Sequence, residues 1–582
     1  MAKLFLVLLF LYPALARAGS TDLQKITGHN FKIKKLQNVA VTADHALSYT
    51  LPDNPNSLVK HYLVGQTTEV LTLSSLNTAL NAAGIDSLGR LPDLEWLDTN
   101  QLRFITEGRA ISFDTTSQSV KTLIRFKKEA QELHLAGTDK AAYQVGANIY
   151  LSIGEATSQI TFDTAEGVTN GGAVHQQEFG IHEGIFWAPD ASKFAFYRMD
   201  QRSVSKYPMV GIDPRPRDVS YIHYPMCGMD SHTVKVGIYD LATQKLTWVD
   251  ENPSHYLAGI TFSPDSRHLY ISVIPRDQKS HKLKQFDAKT GKKIRTVFAE
   301  TNDKYLEPQH APLFINDEKL VILSRNKGAL HPYIVDLKAS EVTPLVDEEA
   351  IWEISDLGGL DANKENLFFH ANISDPRDQH YYRLNLTTQT FTQLTTEQGV
   401  HQVRRSKDEA YLLDEVSTPE VEYKFNLLDK DGKKLYSYVA ENRMHTEDLG
   451  TTTPVVLAGD DECPHDLYGC ITVPRDFDPC KSYPTIVYVY GGPHVQLVRR
   501  TYHYGATLFD HDLARQGYIV FMLDSRGSAN RGLAFEQEIH KNLGEVAIKD
   551  QLRGVKYLKD LPYVDASRFG SVWMEFWGVY GC

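Results

Sequence analysis

The sequence predicts a β-propeller of eight blades followed by an α/β-hydrolase domain that is incomplete at its C-terminus. Three observations carry this prediction. A hairpin pattern recurs through the middle of the chain at intervals of 49, 49, 77, 47, 49, 49 and 44 residues. Between 484 and 570 the pattern changes to apolar strand, helix and apolar strand in alternation. The length, 582 residues, exceeds one ordinary domain and fits two or three.

The repeat unit is an apolar strand, a polar turn and a second strand. It appears around Gly65 (YLVGQTTEVLTL), Asp114 (ISFDTTSQSVKTLI), Asp163 (ITFDTAEG) and Asp240 (IYDLATQKLTWV). It continues around Asp287 (QFDAKTGKKIRTVF), Asp336 (IVDLKASEVTPLV), Asn385 (LNLTTQTFTQL) and Asp429 (NLLDKDGKKLYSY). Asp and Asn suit the first turn position because their side chains bond backbone two residues on. Companion strands follow turns such as Ala188-Pro189-Asp190 and Ser263-Pro264-Asp265. Four strands per 40–50 residues is the signature of a propeller blade, and eight hairpins imply eight blades. A row of β-sandwiches fits the regular spacing less well. The 77-residue interval exceeds its neighbours by roughly 28 residues and contains the segment 167–228. Such an insertion usually maps to a functional loop, and this one carries Glu178 within Val174-His175-Gln176-Gln177-Glu178-Phe179-Gly180-Ile181.

The α/β part opens with the apolar run Pro484–Val489, broken by Tyr490-Gly491-Gly492-Pro493. Residues 508–517 fit a helix and Tyr518–Asp524 a second buried strand. A helical stretch follows with Ile548, Leu552, Val555 and Leu558 on one face. Arg568-Phe569-Gly570 should begin the strand that feeds a G-x-S-x-G nucleophile elbow. The sequence reads instead SVWMEFWGVYGC. Moved forward by one base, the Trp573–Met574 overlap must encode Gly, Met574–Glu575 must encode Trp, and Trp577–Gly578 must encode Gly. With permitted codons throughout, the shifted tail reads VYGWSFGGFMA, which holds G-W-S-F-G-G in the expected place. Residues 571–582 are therefore expected to be a frameshifted tail; the bland alternative is a genuine divergent C-terminus. Ser571 is no substitute nucleophile, because no G-x-S-x-G surrounds it. His494 precedes the expected nucleophile and reads as a loop histidine, and Asp524 as a residue that shapes its turn.

Lys3, the apolar run Leu4–Ala14 and Ala16-Arg17-Ala18 predict a secretory signal peptide over 1–18. The apolar run is too short to span a membrane, so export to the periplasm or beyond is expected, with no membrane association after cleavage. The domain division is then 19–445 for an N-terminal segment and propeller, and 446–582 for the truncated hydrolase domain. The formal charge of −12 argues against nucleic acid as a partner. Cys463 and Cys470 fit either a hairpin disulfide or free buried thiols, and Cys582 is spurious if the tail is frameshifted. Cysteine spacing gives no metal signal, and no cofactor is expected. Asn372-Ile373-Ser374 and Asn385-Leu386-Thr387 match glycosylation acceptors.

The stretches VHQQEFGIHEGIFWAPDASKFAFYRMDQ, YPMCGMDSHTVKVGIYDL, YPTIVYVYGGPH and LDSRGSANRG together resemble the dipeptidyl peptidase IV family of serine exopeptidases. The similarity runs over nearly the whole mature chain. It is nearest the bacterial members, including the prolyl tripeptidyl peptidase branch, where a single Glu precedes Phe-Gly-Ile; dipeptidyl members typically offer two. The resemblance implies cleavage after proline near a free N-terminus. It implies that Glu178 binds the substrate's α-ammonium and that the Tyr490 hydroxyl helps form the oxyanion hole. The triad Ser, Asp and His would follow the elbow and are absent from this sequence, so the chain as written is expected to be inactive. Dimerisation is common in the family. The competing reading is a non-catalytic propeller module that captures peptide N-termini through Glu178. An endopeptidase of the related oligopeptidase group needs no such amine clamp.

Overall fold

The computed structural model describes residues 33–211, 215–441 and 449–573. The expected signal peptide, the tail beyond Trp573 and Cys582 lie outside the described residues. Eight sheets follow one another along the chain, over 37–72, 95–125, 131–159, 168–248, 256–301, 313–344, 354–393 and 400–439. Seven are four-stranded meanders. The fourth gains the short strand Ile185–Trp187, and a separate hairpin, Lys206–Val210 with Val219–His223, projects from it. These are the eight expected blades.

The turns explain why the chain breaks where it does. The carboxylate of Asp287 accepts the amides of Lys289 (3.1 Å) and Thr290 (2.7 Å). Asp114, Asp240, Asp336, Asn385 and Asp429 make equivalent bonds in their own hairpins. Asp163 departs from the pattern. It lies in the link between the third and fourth blades, where it receives Arg198 (2.7 and 2.9 Å) and Asn170 (3.0 Å). The third blade turns instead at Gly154 (φ 56°), between Asn148–Ile153 and Ala156–Gln159. An apolar pair followed by Asp serves a linker as well as a hairpin, and glycine meets a two-residue turn without an Asx side chain.

The core is distributed between blades. Separate apolar clusters fill each seam, for example Leu76, Trp96 and Phe104 between the first and second blades and Leu257, Ile271 and Val236 between the fourth and fifth. The ring closes by the same means: Leu47 and Tyr49 of the first blade pack against Leu413, Phe425 and Leu427 of the eighth. No strand is exchanged between blades.

The final sheet runs Thr451–Leu457, Leu467–Val473, Ile519–Leu523, Tyr483–Val489, Val564–Trp573 in spatial order. The first two neighbours pair antiparallel and the last two parallel. This is the opening part of an α/β-hydrolase sheet, and Val564–Trp573 lies where the elbow strand is expected. The helices Leu508–Arg515 and Glu545–Lys559 flank it. In the second, Val546, Ala547, Asp550, Gln551, Gly554 and Leu558 are buried, whereas Ile548 and Leu552, expected inside, are exposed. Two contacts rotate the helix away from its most apolar face. Arg526 draws Asp550 inward at 2.8 Å, and Gly554 has so little room that a Cβ there would stand 2.7 Å from Phe521. Cys463 and Cys470 are both free and buried. Asn372 is buried, bonding the amide of Glu353 (2.7 Å) and the carbonyl of Asn530 (2.8 Å), so this fold leaves it no room for a glycan. Among the described residues no helix is long and apolar enough to cross a membrane.

Candidate functional site

The strand Tyr483–Val489 ends in Tyr490 and the Gly-Gly-Pro turn, and the loop beyond faces the propeller. Asp524, at the end of Ile519–Leu523, holds that loop by accepting the amides of Leu497 (2.8 Å) and Val498 (2.9 Å). Burial pushes its carboxyl up to about 6, against the opposing effect of those two bonds. His494 donates its amide to the carbonyl of Gly527 at 3.3 Å with φ at 65°. Its Nε2 lies 3.0 Å from Oε2 of Glu307, on the link between the fifth and sixth blades. That carboxylate holds the imidazole above the usual histidine range.

Glu178 stands on an unusual piece of backbone. His175, Gln176, Gln177 and Phe179 all have left-handed φ, between 56° and 65°, and Gly180 follows at 68°. Each such non-glycine residue costs roughly 1–2 kcal/mol, and strain of this kind is held only where surrounding structure over-determines it. Here Phe179 is buried against Tyr256 with ring centroids 5.0 Å apart. His175 is buried edge-on to the same tyrosine, 2.8 Å from Nε2 of His232, and accepts the amide of Leu257 at 3.2 Å. Burial pushes the His175 ring down to about 3, so it stays neutral. Gly180 is obligatory: a Cβ would stand 1.9 Å from the carbonyl oxygen of Gln309. The chain around Glu178 and the chain around Glu307 therefore run in contact. Partial burial and the charge of Glu307 raise the Glu178 carboxyl above its ordinary value, with His494 acting in the opposite sense.

Behind this pair a buried network fastens the hydrolase part to the propeller. Arg325 lies 3.2 Å from Glu353 and pairs with Glu536, and Glu353 accepts the amide of Gly532 at 3.0 Å. Arg500 pairs with Asp375 (3.0 Å) and Asp378, and Lys304 donates to the carbonyl of Gln537 (2.9 Å). Of the two residues singled out from sequence, Glu178 feels the charges of Glu307 and His494, and Tyr490 precedes His494 by four residues in the chain. Sequence reading missed Glu307 and Arg325: each lies at the edge of a blade with no motif around it, and only folding brings them to the hydrolase loops. Among the described residues no group of three or more His, Cys, Asp or Glu could hold a metal ion.

Residues 41–423 match the family model described as the dipeptidyl peptidase IV (DPP IV) N-terminal region, and residues 509–572 match that of the prolyl oligopeptidase family. A solved structure described as a dipeptidyl aminopeptidase IV from Bacteroides ovatus is 30% identical, with a TM-score of 0.87 over 95% of this chain and 81% of that one. Porphyromonas gingivalis dipeptidyl peptidase 4 shares the fold at 20% identity and a TM-score of 0.78, over 95% and 80% of the two chains. A protein described as dipeptidyl-aminopeptidase B from Sordaria macrospora is 25% identical over 526 residues, 80% of this chain and 54% of the relative. The Aspergillus niger dipeptidyl-aminopeptidase B is 23% identical over 455 residues, 70% and 48% of the two. The chain spans about half the length of these curated relatives. A propeller model matched across most of its blades, on a fold shared with solved relatives, places this chain in the dipeptidyl peptidase IV family.

Proposed function

We propose that this chain carries the substrate-recognition half of an exported serine exopeptidase that releases di- or tripeptides after proline from free peptide N-termini. The observation that carries the reading is Glu178, a carboxylate held on strained backbone and left without a hydrogen-bond or ion-pair partner among the described residues. A peptide α-ammonium is cationic at neutral pH, and a charge-assisted hydrogen bond to an unpaired carboxylate is its natural recognition. Fixing the amino end measures off a set number of residues to the scissile bond. Gln176 and Gln177 stand where dipeptidyl members offer a second glutamate, which favours tripeptides. Tyr490 is the proposed oxyanion donor; one such donor is worth roughly 3–4 kcal/mol in an acyl-transfer transition state.

The 582 residues contain no G-x-S-x-G. The role proposed for these residues by themselves is therefore binding, and hydrolysis belongs to a reading frame that continues through the elbow. The test is fluorescence anisotropy of a labelled proline-containing peptide and its N-acetylated twin. The free amine is expected to bind about tenfold tighter or more, and Glu178→Gln to abolish the difference. Equal binding of the two peptides by the wild-type chain sinks the reading. Resequencing from the codon of Gly570 separates the two futures of the protein: a frame running through G-W-S-F-G-G gives a peptidase, and a frame ending at Cys582 leaves a peptide-binding propeller.

A further inference from the structure

The site around Glu178 holds two carboxylates and one cation. Glu307 approaches from a different blade and is paired with His494 at 3.0 Å. The charge of Glu307 raises the Glu178 carboxyl, and that of His494 acts in the opposite sense. The two backbones touch at Gly180 and Gln309, each two residues beyond its glutamate. His494 in turn sits four residues after Tyr490, on the loop that Asp524 holds. Arg325 and Glu536 also bear on the imidazole, and Arg325 on Glu307, but Arg325 is paired with Glu353 and Glu536 in the buried network behind the site. The site is therefore one positive charge short. The pair it does hold is weak, because His494 is 46% exposed and Glu307 23%, and ion pairs open to solvent are readily exchanged.

We propose that Glu307 is the second carboxylate of the amine site and that His494 is a stand-in cation, displaced from Glu307 by the peptide's N-terminal ammonium. The inference rests on the reading of Glu178 as an amine-binding residue and extends it. Glu307 becomes a specificity-determining residue supplied by the link between the fifth and sixth blades. The displacement also ties occupancy of the amine site to the loop that begins at Tyr490. The released imidazole remains within its own loop, anchored through its amide to Gly527, so substrate arrival moves the side chain and leaves the backbone fixed.

The experiment is anisotropy with the same peptide and its acetylated twin on the full chain, comparing wild type, Glu178→Gln, Glu307→Gln and His494→Ala. Glu307→Gln is expected to weaken free-amine binding about tenfold. His494→Ala, which unmasks Glu307, is expected to tighten it several-fold. The acetylated peptide should respond to neither change. The tightening carries the test even where Glu307→Gln fails to fold, since a damaged protein does not gain affinity selectively for one of two peptides. If Glu178→Gln abolishes selectivity while both other variants stay within about twofold of wild type, the proposal is overturned and the reading of Glu178 stands. If wild type fails to distinguish the two peptides, both fall together.

Discussion

At the residue scale, the cost of the Glu178 loop is met by its neighbours. Four left-handed side-chain-bearing residues sit within five positions, and the buried rings of His175 and Phe179 keep them there. Gly180 is the point where this arrangement has no slack. Gly180→Ala, with φ at 68° and the Gln309 carbonyl in the way, should destabilise the protein by about 2–4 kcal/mol. It should also erase selectivity for free-amine peptides, measured by thermal melting and anisotropy together. Asp524 gives a pH prediction. Its carboxyl is raised from 3.8 to about 6 in the folded protein, so the native state binds a proton more tightly than the unfolded chain. Stability contributed by this group therefore grows as pH falls through about 6 and levels off below about 4. Asp524→Asn should remove that slope, worth up to about 3 kcal/mol, in urea melts compared across the window.

At the scale of elements, six of the eight blade hairpins are each closed by one Asx side chain and one left-handed residue. Gln118, Gln244, Gly291, Ser340, Gln389 and Gly432 supply the latter. Asp287→Ala removes acceptors for the Lys289 and Thr290 amides and for the Thr290 hydroxyl (2.7 Å). We expect a loss of about 1–2 kcal/mol, read as a lower urea midpoint with unchanged m-value. The turn chemistry made seven of the eight hairpins legible in the sequence; the Asp163 mismatch arose because a linker borrowed the same side chain for an ion pair. The helix Leu73–Ala82, closed by the capping box of Thr72 and Ser75, interrupts the repeat without disturbing its period. It tucks Leu76, Ala79 and Leu80 into the first seam.

At the scale of the molecule, a ring of separately packed seams is joined to a partial α/β sheet through polar contacts. Arg325 is central to that junction, lying between Glu353 and Glu536, both almost fully buried. Arg325→Met leaves two buried like charges facing each other and should cost about 3–5 kcal/mol. Hydrogen exchange should show the sheet 451–573 losing protection first, with the inner strands of the propeller protected to higher denaturant, because their contacts lie mainly between neighbouring blades. Uniform loss of protection across both parts would instead mean that the two unfold as one unit.

The sequence by itself determined the number of blades, the order of the two parts and the position of the strand that leads toward the elbow. These are written in local signals: turn residues, period-two strands and apolar runs whose meaning does not depend on what lies far away in the chain. It also singled out Glu178 and Tyr490, through motifs that are contiguous. Only the tertiary structure placed Glu307 against the Glu178 loop, paired it with His494, and set Arg325 between carboxylates more than 180 residues apart in the chain. Charges carry no periodicity and no turn preference, so what they pair with is decided by where the blades and the final sheet bring them. For the same reason the helix Glu545–Lys559 turned Asp550 inward and left Ile548 and Leu552 exposed: a buried arginine and one glycine's clearance outweighed the apolar face.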